Sequence, residues 1–341
     1  SPLRTIMPVA YLTLPGLKAS VHGERLEITP PPAEKDAPLP AKSSIPLLDL
    51  DQVVVDARAH LSSRSINRLL QEGIPVCFLS HGDSPSGLAL PYNRQSAILA
   101  QQLDRCREDD FRLQRAKELL ECKIRNMRRL LQRLSREGTD WRGTLAFLKS
   151  IRAQLAAAPS LETLRGVEGL AAARYFESYG QLFPASFPFE KRSRRPPRNP
   201  PNSLLSFLYT LLCNEIVLEI RSAGMEPGWG WLHEQEDGRP ALALDLMEPF
   251  RAPVVDAVVL DLFNHQRLQE EDFESTEEGA VLLKRTSRRK VFVAWESRLE
   301  REFLYQKTQM RTTIRAQIRD SVRQAKKSFR TGDSLEPFQM N

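Results

Sequence analysis

The spacing of apolar residues changes character about a quarter of the way along this chain of 341 residues. In the first part they come in short runs that are typical of strands. The predicted strands are Val9–Leu14, Lys18–Val21, Arg25–Thr29 and Ile74–Ser80. His22-Gly23-Glu24 predicts a tight hairpin, and Ser62 predicts the cap of a short helix that ends at Gly73. We therefore predict a small β-rich domain over residues 1–92, with the Pro-rich stretch Pro30–Ser44 as a mobile loop.

Beyond residue 92 the apolar spacing becomes helical. We predict one long helix from about Arg94 to Gly138, a second over Leu161–Leu182, and a third with apolar residues over Leu204–Ile220, capped by Asn202 or Ser203. The remaining elements are a hairpin, a last helix and a frayed tail. They are predicted over Gly279–Trp295, from about Glu296, and after Arg330. The predicted fold class is α+β: a small N-terminal β-rich domain followed by a larger, mostly α-helical catalytic domain over residues 93–341.

One acidic residue interrupts the apolar stripe of the second helix. Between Leu164 and Ala171 the position that should continue the stripe is Glu168. A glutamate on a buried helix face is rare and usually binds something. The alternative is a side chain that reaches out to solvent beside Gly166 and Gly169.

A second candidate site follows the third helix. Asp245 and Glu248 are three residues apart, so on a helix they share a face, and the Asp237-Gly238 reversal can bring His233 towards them. Pro249 should remodel this helix at the acids. The alternative interpretation is a histidine at a helix end and two solvated acids, but the apolar neighbours make unpaired carboxylates costly here. We predict a metal site of Glu168, His233 and Glu248, with Asp245 as a nearby, more replaceable acid.

Two basic segments could contact phosphate groups. The first is a Pro-stiffened loop between the second and third helices, with Lys191, Arg192, Arg194, Arg195 and Arg198. A nuclear-localisation signal is the weaker alternative for this loop. The second is a predicted helical stripe of Arg311, Arg315, Arg319, Arg323 and Lys327, which could equally be a solvated face. A third basic run, from Arg125 to Arg136, is equally open between these two interpretations.

Composition excludes several classes of protein. The four cysteines show no paired spacing, which argues against a zinc finger and favours reduced thiols. Charged residues interrupt the apolar runs before membrane-span length, and no signal-peptide pattern opens the chain. The net charge of +6 is compatible with a polyanionic partner. We therefore expect a cytoplasmic protein without a membrane partner.

The motifs as a set resemble one family, the CRISPR-associated integrases. The resemblance is carried by LRGVEGLAAARYF (Leu164–Phe176), RPPRNPPNSLLSFLYTLL (Arg195–Leu212), GWGWLH (Gly228–His233) and RPALALDLMEPFRAPVVD (Arg239–Asp256). YLTLPGLKASVHGERLEI and EGIPVCFLS resemble the β domain of that family, so the similarity covers nearly the whole chain. The metal ligands of the family fall on Glu168, His233 and Glu248, with Asp245 as the nearby acid.

The resemblance implies a prokaryotic enzyme with endonuclease and integrase activity. It would join the 3′-hydroxyl of captured DNA to a CRISPR repeat by transesterification, with Mg²⁺ or Mn²⁺ as cofactor. The partners implied are both DNAs and a small ferredoxin-like protein that bridges two homodimers, each formed through the β domains. Family members fused to reverse transcriptases are known, and Ser1–Val9 precedes the usual start of such proteins without an initiator Met. We therefore expect a cut-out or processed part of a longer polypeptide, with removal of an expression tag as the alternative.

Two other functions stay open at the level of sequence. A catalytically inert DNA-binding scaffold would need only the basic segments. A metal hydrolase of small molecules is disfavoured because His233-Glu234 has no second histidine four residues further on.

Overall fold

The computed structural model describes residues 9–31, 42–79, 85–92, 96–134 and 141–341. The chain divides into two compact units, residues 1–95 and 96–341. Strands dominate the first and helices the second, which confirms the predicted fold class. Most of the predicted loop Pro30–Ser44 lies outside the described residues, as do both ends of the helix predicted over Arg94–Gly138.

In its described residues the first unit contains two four-stranded sheets and one α-helix. Its elements are β1 (Val9–Leu12), β2 (Lys18–His22), β3 (Arg25–Thr29), β4 (Ser43–Pro46), β5 (Gln52–Asp56), β6 (His60–Leu61), α1 (Ser63–Gln71), β7 (Val76–Leu79) and β8 (Pro85–Ala89). The sheet orders are β1-β5-β7-β8 and β4-β3-β2-β6. The hairpin at His22 and the Ser62 cap are confirmed, since β2 pairs antiparallel with β3 and Ser62 Oγ accepts from the Ser65 N–H. Alternating apolar residues such as Leu12, Leu26 and Val53 fill the core between the layers.

The second unit is a bundle of nine helices, counted over the described residues, with two short hairpins. The helices are α2 (Ser96–Arg105), α3 (Asp109–Arg133), α4 (Arg142–Ala157), α5 (Leu161–Gly180), α6 (Pro200–Ser222), α7 (Ala241–Leu246), α8 (Ala257–Asn264), α9 (Arg288–Glu300) and α10 (Ile314–Thr331). The hairpins are β9 (Phe273–Ser275) with β10 (Val281–Leu283), and β11 (Phe303–Tyr305) with β12 (Met310–Thr312).

Helix α6 runs through the core of this unit. By length and composition it could also cross a membrane, but 56% of its most apolar window is buried inside the unit. One of its two acids, Glu215, is buried and its Oε1 accepts from Arg315 Nε at 2.6 Å. The helix begins earlier than predicted, because Asn199 rather than Asn202 or Ser203 provides the cap. Pro200 and Pro201 occupy its first turn, where a missing N–H costs nothing.

Four other predictions for this unit were wrong. The helix predicted from Arg94 is two helices, broken where Glu108 adopts an extended backbone before α3. The predicted hairpin over Gly279–Trp295 is instead the end of the β9–β10 hairpin followed by α9, and the last long helix begins only at Ile314. The tail after Arg330 is packed, with Leu335, Phe338 and Met340 buried, because Phe338 stacks on Phe250 at 5.2 Å.

The segment after α7 changes its helical geometry twice. Pro249 cannot donate a backbone hydrogen bond, and α7 ends at Leu246. A 3₁₀ turn over Glu248–Phe250 and a π-helix over Arg251–Asp256 follow before α8. This confirms the predicted remodelling and places Glu248 beside Lys123 of α3 and Arg251 beside Tyr209 of α6.

Candidate active site

Two of the predicted site residues converge on a lysine that the sequence analysis did not single out. Lys123 Nζ, from α3, lies 2.5 Å from Glu168 Oε1 on α5 and 2.6 Å from Glu248 Oε2. The exposed fractions of the side chains are 6% for Lys123, 26% for Glu168 and 4% for Glu248. One cation is therefore shared by two carboxylates at the edge of the core, and only Glu168 reaches solvent to a substantial extent.

Glu248 is held ionised by its neighbours. Burial by itself raises the pKa of this carboxyl, but the charges of Arg251, Lys123 and His233 outweigh burial and hold the pKa at about 2. Arg251 Nε lies 3.0 Å from Glu248 Oε1. Both carboxylate oxygens thus face a cation, so the group is a permanent negative charge at neutral pH.

His233 is oriented by Asp245. The Nδ1 atom of His233 lies 2.6 Å from Asp245 Oδ1. The Asp245 carboxylate is fully buried and also accepts the backbone N–H groups of Trp231, Leu232 and His233. With Nδ1 engaged, Nε2 is the ring nitrogen that is left for a metal ion or a substrate atom. Asp245 therefore positions the histidine, and its own oxygens are occupied.

Gly230 makes this contact possible. A Cβ atom at Gly230 would lie 2.5 Å from Asp245 Oδ2 and 2.7 Å from the Leu242 nitrogen, closer than real Cβ contacts. Only a residue without a side chain lets the segment Trp231–His233 approach α7 this closely. The Gly228–His233 motif thus sets the position of the histidine through its backbone.

The donor set suits a hard divalent cation. Two carboxylates and an imidazole are ligands that Mn²⁺ accepts and Mg²⁺ tolerates. Glu248 Oε2, although paired in charge with Lys123, is buried without an aligned hydrogen bond. Within the described ranges, however, no three His, Cys, Asp or Glu side chains already stand at metal-binding spacing. The Lys123 ammonium lies between the two carboxylates instead.

Comparison with known proteins decides the family. The model of the family "CRISPR associated protein Cas1" matches residues 10–297. The chain belongs to the Cas1 family. It is 39% identical over 255 residues to the CRISPR-associated endonuclease Cas1 3 of Thermus thermophilus, covering 74% of this chain and 75% of that protein. It is 32% identical to a Cas4/Cas1 exonuclease–endonuclease fusion of Geobacter sulfurreducens, with 88% of this chain aligned to 53% of the fusion. The chain therefore spans about half the length of that relative.

Solved structures show the same fold. A casposase bound to an integration product superposes with a TM-score of 0.82 at 24% identity, over 97% of this chain and 93% of that one. A chain of a partial Cas6-RT-Cas1–Cas2 complex superposes with a TM-score of 0.70 at 25% identity, over 98% and 99% of the two chains. The Cas1 architecture is thus common to assemblies of different composition, including a complex with a reverse transcriptase.

The basic loop between α5 and α6 separates into anchors and exposed charges. Asn202, at the start of α6, accepts from Arg192 and from the Ser193 N–H and donates to the Lys191 carbonyl. Arg198 donates to the Glu278 carbonyl at 3.1 Å. Lys191, Arg194 and Arg195 are exposed at the surface. The predicted DNA-binding role of the loop stays a prediction, and the exposed members are its strongest candidates.

The second basic set forms only part of the predicted helical stripe. Arg311 lies on strand β12, so only Arg315, Arg319, Arg323 and Lys327 are on α10. The Arg315 side chain is 3% exposed and pairs with Glu215, Glu296 and Glu300, which removes it from the accessible DNA-binding candidates. Its guanidinium instead joins α6, α9 and α10. Arg319 is half-buried against Glu219, and Arg323 remains exposed beside Asp320.

The structure adds a buried tyrosine cluster to the site. Both carboxylate oxygens of Asp256 accept tyrosine hydroxyls, from Tyr175 at 2.7 Å and from Tyr209 at 2.5 Å. The Arg251 guanidinium lies over the Tyr209 ring at 4.6 Å. A chain of contacts thus runs from Asp256 through Tyr209 and Arg251 to Glu248.

A sequence signal for Lys123 existed. It lies three residues after Leu120 and four before Met127, so it falls on the apolar stripe of α3 just as Glu168 falls on that of α5. Two opposite charges on facing stripes can pair. Lys123 was missed because α3 carries many arginines, which were interpreted together as phosphate contacts or a solvated face.

Proposed function

We propose that the chain is a metal-dependent DNA integrase of CRISPR adaptation, with related endonuclease activity. The observation that carries the proposal is the convergence of Glu168 and Glu248, with His233 held by Asp245, in a chain of the Cas1 family. The names of similar proteins add support: one relative is an endonuclease, and one structural neighbour is bound to an integration product.

The proposed reaction exchanges one phosphodiester for another. The 3′-hydroxyl of a captured DNA fragment attacks a phosphorus atom of the CRISPR repeat. The new P–O bond forms as the bond to the 3′-oxygen of the repeat breaks, and the proton of the attacking hydroxyl ends on that leaving oxygen. Since bonds of the same kind form and break, the step needs neither an external energy source nor a covalent intermediate with a side chain.

Each site residue has a proposed task. Glu168, Glu248 and His233 Nε2 would hold Mg²⁺ or Mn²⁺, and the bound ion would polarise the phosphoryl oxygen and stabilise its developing charge. Asp245 fixes the tautomer and ring orientation of His233. Arg251 keeps Glu248 ionised and in place.

We further propose DNA, a small ferredoxin-like protein and a second copy of the chain as partners, with two homodimers in the complex. A cytoplasmic location in a prokaryotic cell fits this assembly. The Cas2-containing complexes and the Cas4 fusion among the comparisons support a multi-protein context, and association or fusion with a reverse transcriptase is part of the proposal.

The test is an integration assay with a supercoiled plasmid that carries a CRISPR array, a short DNA duplex and the partner protein. We expect Glu168→Gln, His233→Ala and Glu248→Gln each to abolish strand transfer while DNA binding stays nearly intact, because the basic surface is unchanged. Glu162→Gln, an exposed position in the first turn of α5, is the matched control and should remain active. Folded variants at the three sites with near-normal joining would refute the assignment. A wild-type protein that binds DNA but neither cuts nor joins it would support an inert scaffold.

A further inference from the structure

Lys123 is the residue of this site whose purpose the proposed reaction leaves open. Its side chain is nearly buried, and its ammonium bridges Glu168 and Glu248 at 2.5 and 2.6 Å. Burying a lysine is costly unless it is paired, so the position is expected to serve the two carboxylates. A salt bridge that only stabilised the fold would not need to join two predicted metal ligands.

Helix α3 also constrains the backbone next to Glu248. One turn after Lys123, the Asn126 side chain donates to the Pro249 carbonyl at 2.7 Å and to the Phe338 carbonyl at 2.9 Å. Asn126 Oδ1 accepts the Met340 N–H at 2.8 Å. The residue that follows Glu248 is therefore tied to α3 through its carbonyl, and so is the packed tail. Lys123 consequently approaches a carboxylate whose backbone cannot move freely away from it.

The charges of the two glutamates and of the two cations paired with them sum to zero. Glu168 and Glu248 contribute two negative charges, and Lys123 and Arg251 contribute two positive ones. A divalent ion between the carboxylates would add two positive charges to a neutral cluster and would compete with the ammonium for the same oxygens. A phosphate group that enters the site would offer the displaced ammonium a new anion.

From this geometry we propose that Lys123 is a positioning residue that acts as a built-in cation. It holds Glu168 and Glu248 together before the metal ion binds, competes with the ion for them, and turns to a DNA phosphate once the ion has taken the carboxylates. Metal and DNA then each strengthen the binding of the other, as linkage requires of any coupled pair of ligands. The inference rests on the proposed function, since it assumes that Glu168 and Glu248 are metal ligands.

The experiment is a Mn²⁺ titration followed by electron paramagnetic resonance, on the full chain, with and without a short DNA duplex. For Lys123→Met without DNA we expect Mn²⁺ affinity to rise by about tenfold, within the range typical of coupling between ligands. The gain in Mn²⁺ affinity that DNA gives the wild-type protein should shrink in the variant. Lys117→Met is the matched control, because Lys117 lies on the same helix and its ammonium contacts the Ala156 carbonyl instead. It should behave as the wild type does.

Stability gives a second, independent measurement. In EDTA, Lys123→Met should melt at a lower temperature than the wild type, because Glu168 then loses its ion pair with Lys123 and Glu248 keeps only its pair with Arg251. Mn²⁺ should restore the loss. The double variant Lys123→Met/Glu168→Gln removes one charge of each sign and should recover much of the metal-free stability. If Lys123→Met is unfolded in EDTA, we expect Mn²⁺ to restore its folded state.

Unchanged or weaker Mn²⁺ binding by Lys123→Met, or a stability loss that Mn²⁺ does not restore, would overturn the inference. These readouts do not depend on strand transfer. A wild-type protein that joins DNA while Lys123→Met shows no change in Mn²⁺ binding would remove only the role of Lys123. The expected Mn²⁺ shift in a protein that never joins DNA would remove only the integrase assignment.

Discussion

At the residue scale, the most constrained side chain of the site is Asp245. It accepts three backbone N–H groups and faces the Nδ1 atom of His233, all without exposure to solvent. The sequence presented it as the more replaceable acid. Its contacts change the expectation for stability, because an amide in its place would direct an NH₂ group at donors that need an acceptor.

We therefore expect Asp245→Asn to lower the free energy of unfolding by about 2–4 kcal/mol, the order expected for several hydrogen bonds to a buried charge. Denaturant titration measures this loss. Asp237→Asn, in the exposed turn before α7, is the control and should be nearly neutral. A stable Asp245→Asn variant would show that an amide can replace the carboxylate in these contacts.

Asp256 gives a pH-dependent prediction. Burial raises the pKa of its carboxyl from 3.8 to about 6, against the lowering effects of Tyr209, Tyr175, Arg251 and Arg192. Between pH 4 and 6 the folded protein thus holds a proton that the unfolded chain has lost. The stability that this group contributes is therefore fully present below about pH 4. It falls by about 3 kcal/mol in total as the pH rises to about 6, and the free energy of unfolding does not change further with this group above that pH.

The measurement is the free energy of unfolding of the wild type and of Asp256→Asn at several pH values from 4 to 7.5. The difference between the two proteins should change over pH 4 to 6 and then stay level, because the asparagine cannot ionise. The titration of Glu248 is common to both proteins and cancels. Parallel curves across this range would show that Asp256 has an ordinary pKa.

At the scale of elements, the loop between α5 and α6 divides its charge between structure and surface. Arg192 is anchored by Asn202 and lies over the Tyr209 ring at 5.6 Å, and Arg198 is bound to the carbonyl of Glu278. The exposed charges Lys191 and Arg194 line a pocket together with residues of α5, the helix that carries Glu168. Phosphate contacts from this surface would position DNA without reading its bases.

Replacing Lys191, Arg194 and Arg195 by alanine should weaken binding to every duplex alike. The slope of log K against log salt should flatten by about one unit for each phosphate group that the protein no longer neutralises. Fluorescence anisotropy over a range of salt concentrations measures both effects. Arg311, Arg319 and Arg323 form the comparison set. If their replacement flattens the slope while the loop variant keeps it, DNA is bound on the surface around β12 and α10 instead.

At the scale of the whole molecule, the two units carry different proposed tasks. Among the large hydrophobic side chains that the described part of the first unit exposes are two leucines, Leu14 at 56% and Leu48 at 75%. Exposed leucines on a small β-rich unit are consistent with the proposed homodimer through this unit. The second unit contains every residue of the candidate active site.

We expect the wild-type chain to have about twice its monomer mass by light scattering, and Leu14→Glu/Leu48→Glu to shift it towards the monomer, since a charge in an apolar interface is costly. Leu170→Glu/Leu282→Glu, at exposed positions of the second unit, is the control and should leave the mass unchanged. A dimer that persists in the first variant and dissociates in the second would place the interface on the second unit.

The sequence by itself determined the division into a strand-rich and a helical part, the cap at Ser62, the broken helix at Pro249, and the resemblance to the family. These features depend on local spacing and on backbone chemistry, which a chain shows without its fold. Glu168 and Glu248 were identified for the same reason, because an acid among apolar neighbours is a local anomaly.

Only the tertiary structure decided which charges meet. Lys123 and Glu168 are far apart in sequence, and Arg315 finds its partners on α6 and α9. Local spacing marks Lys123 as a charge on an apolar stripe, but it cannot show which side chains Lys123 meets or that Arg315 is buried. The packed tail was missed because Phe338 is stabilised by Phe250 rather than by its sequence neighbours. The site is formed by ion pairs between residues that are distant in sequence. These pairs are required because burial in the folded chain makes an unpaired charge costly.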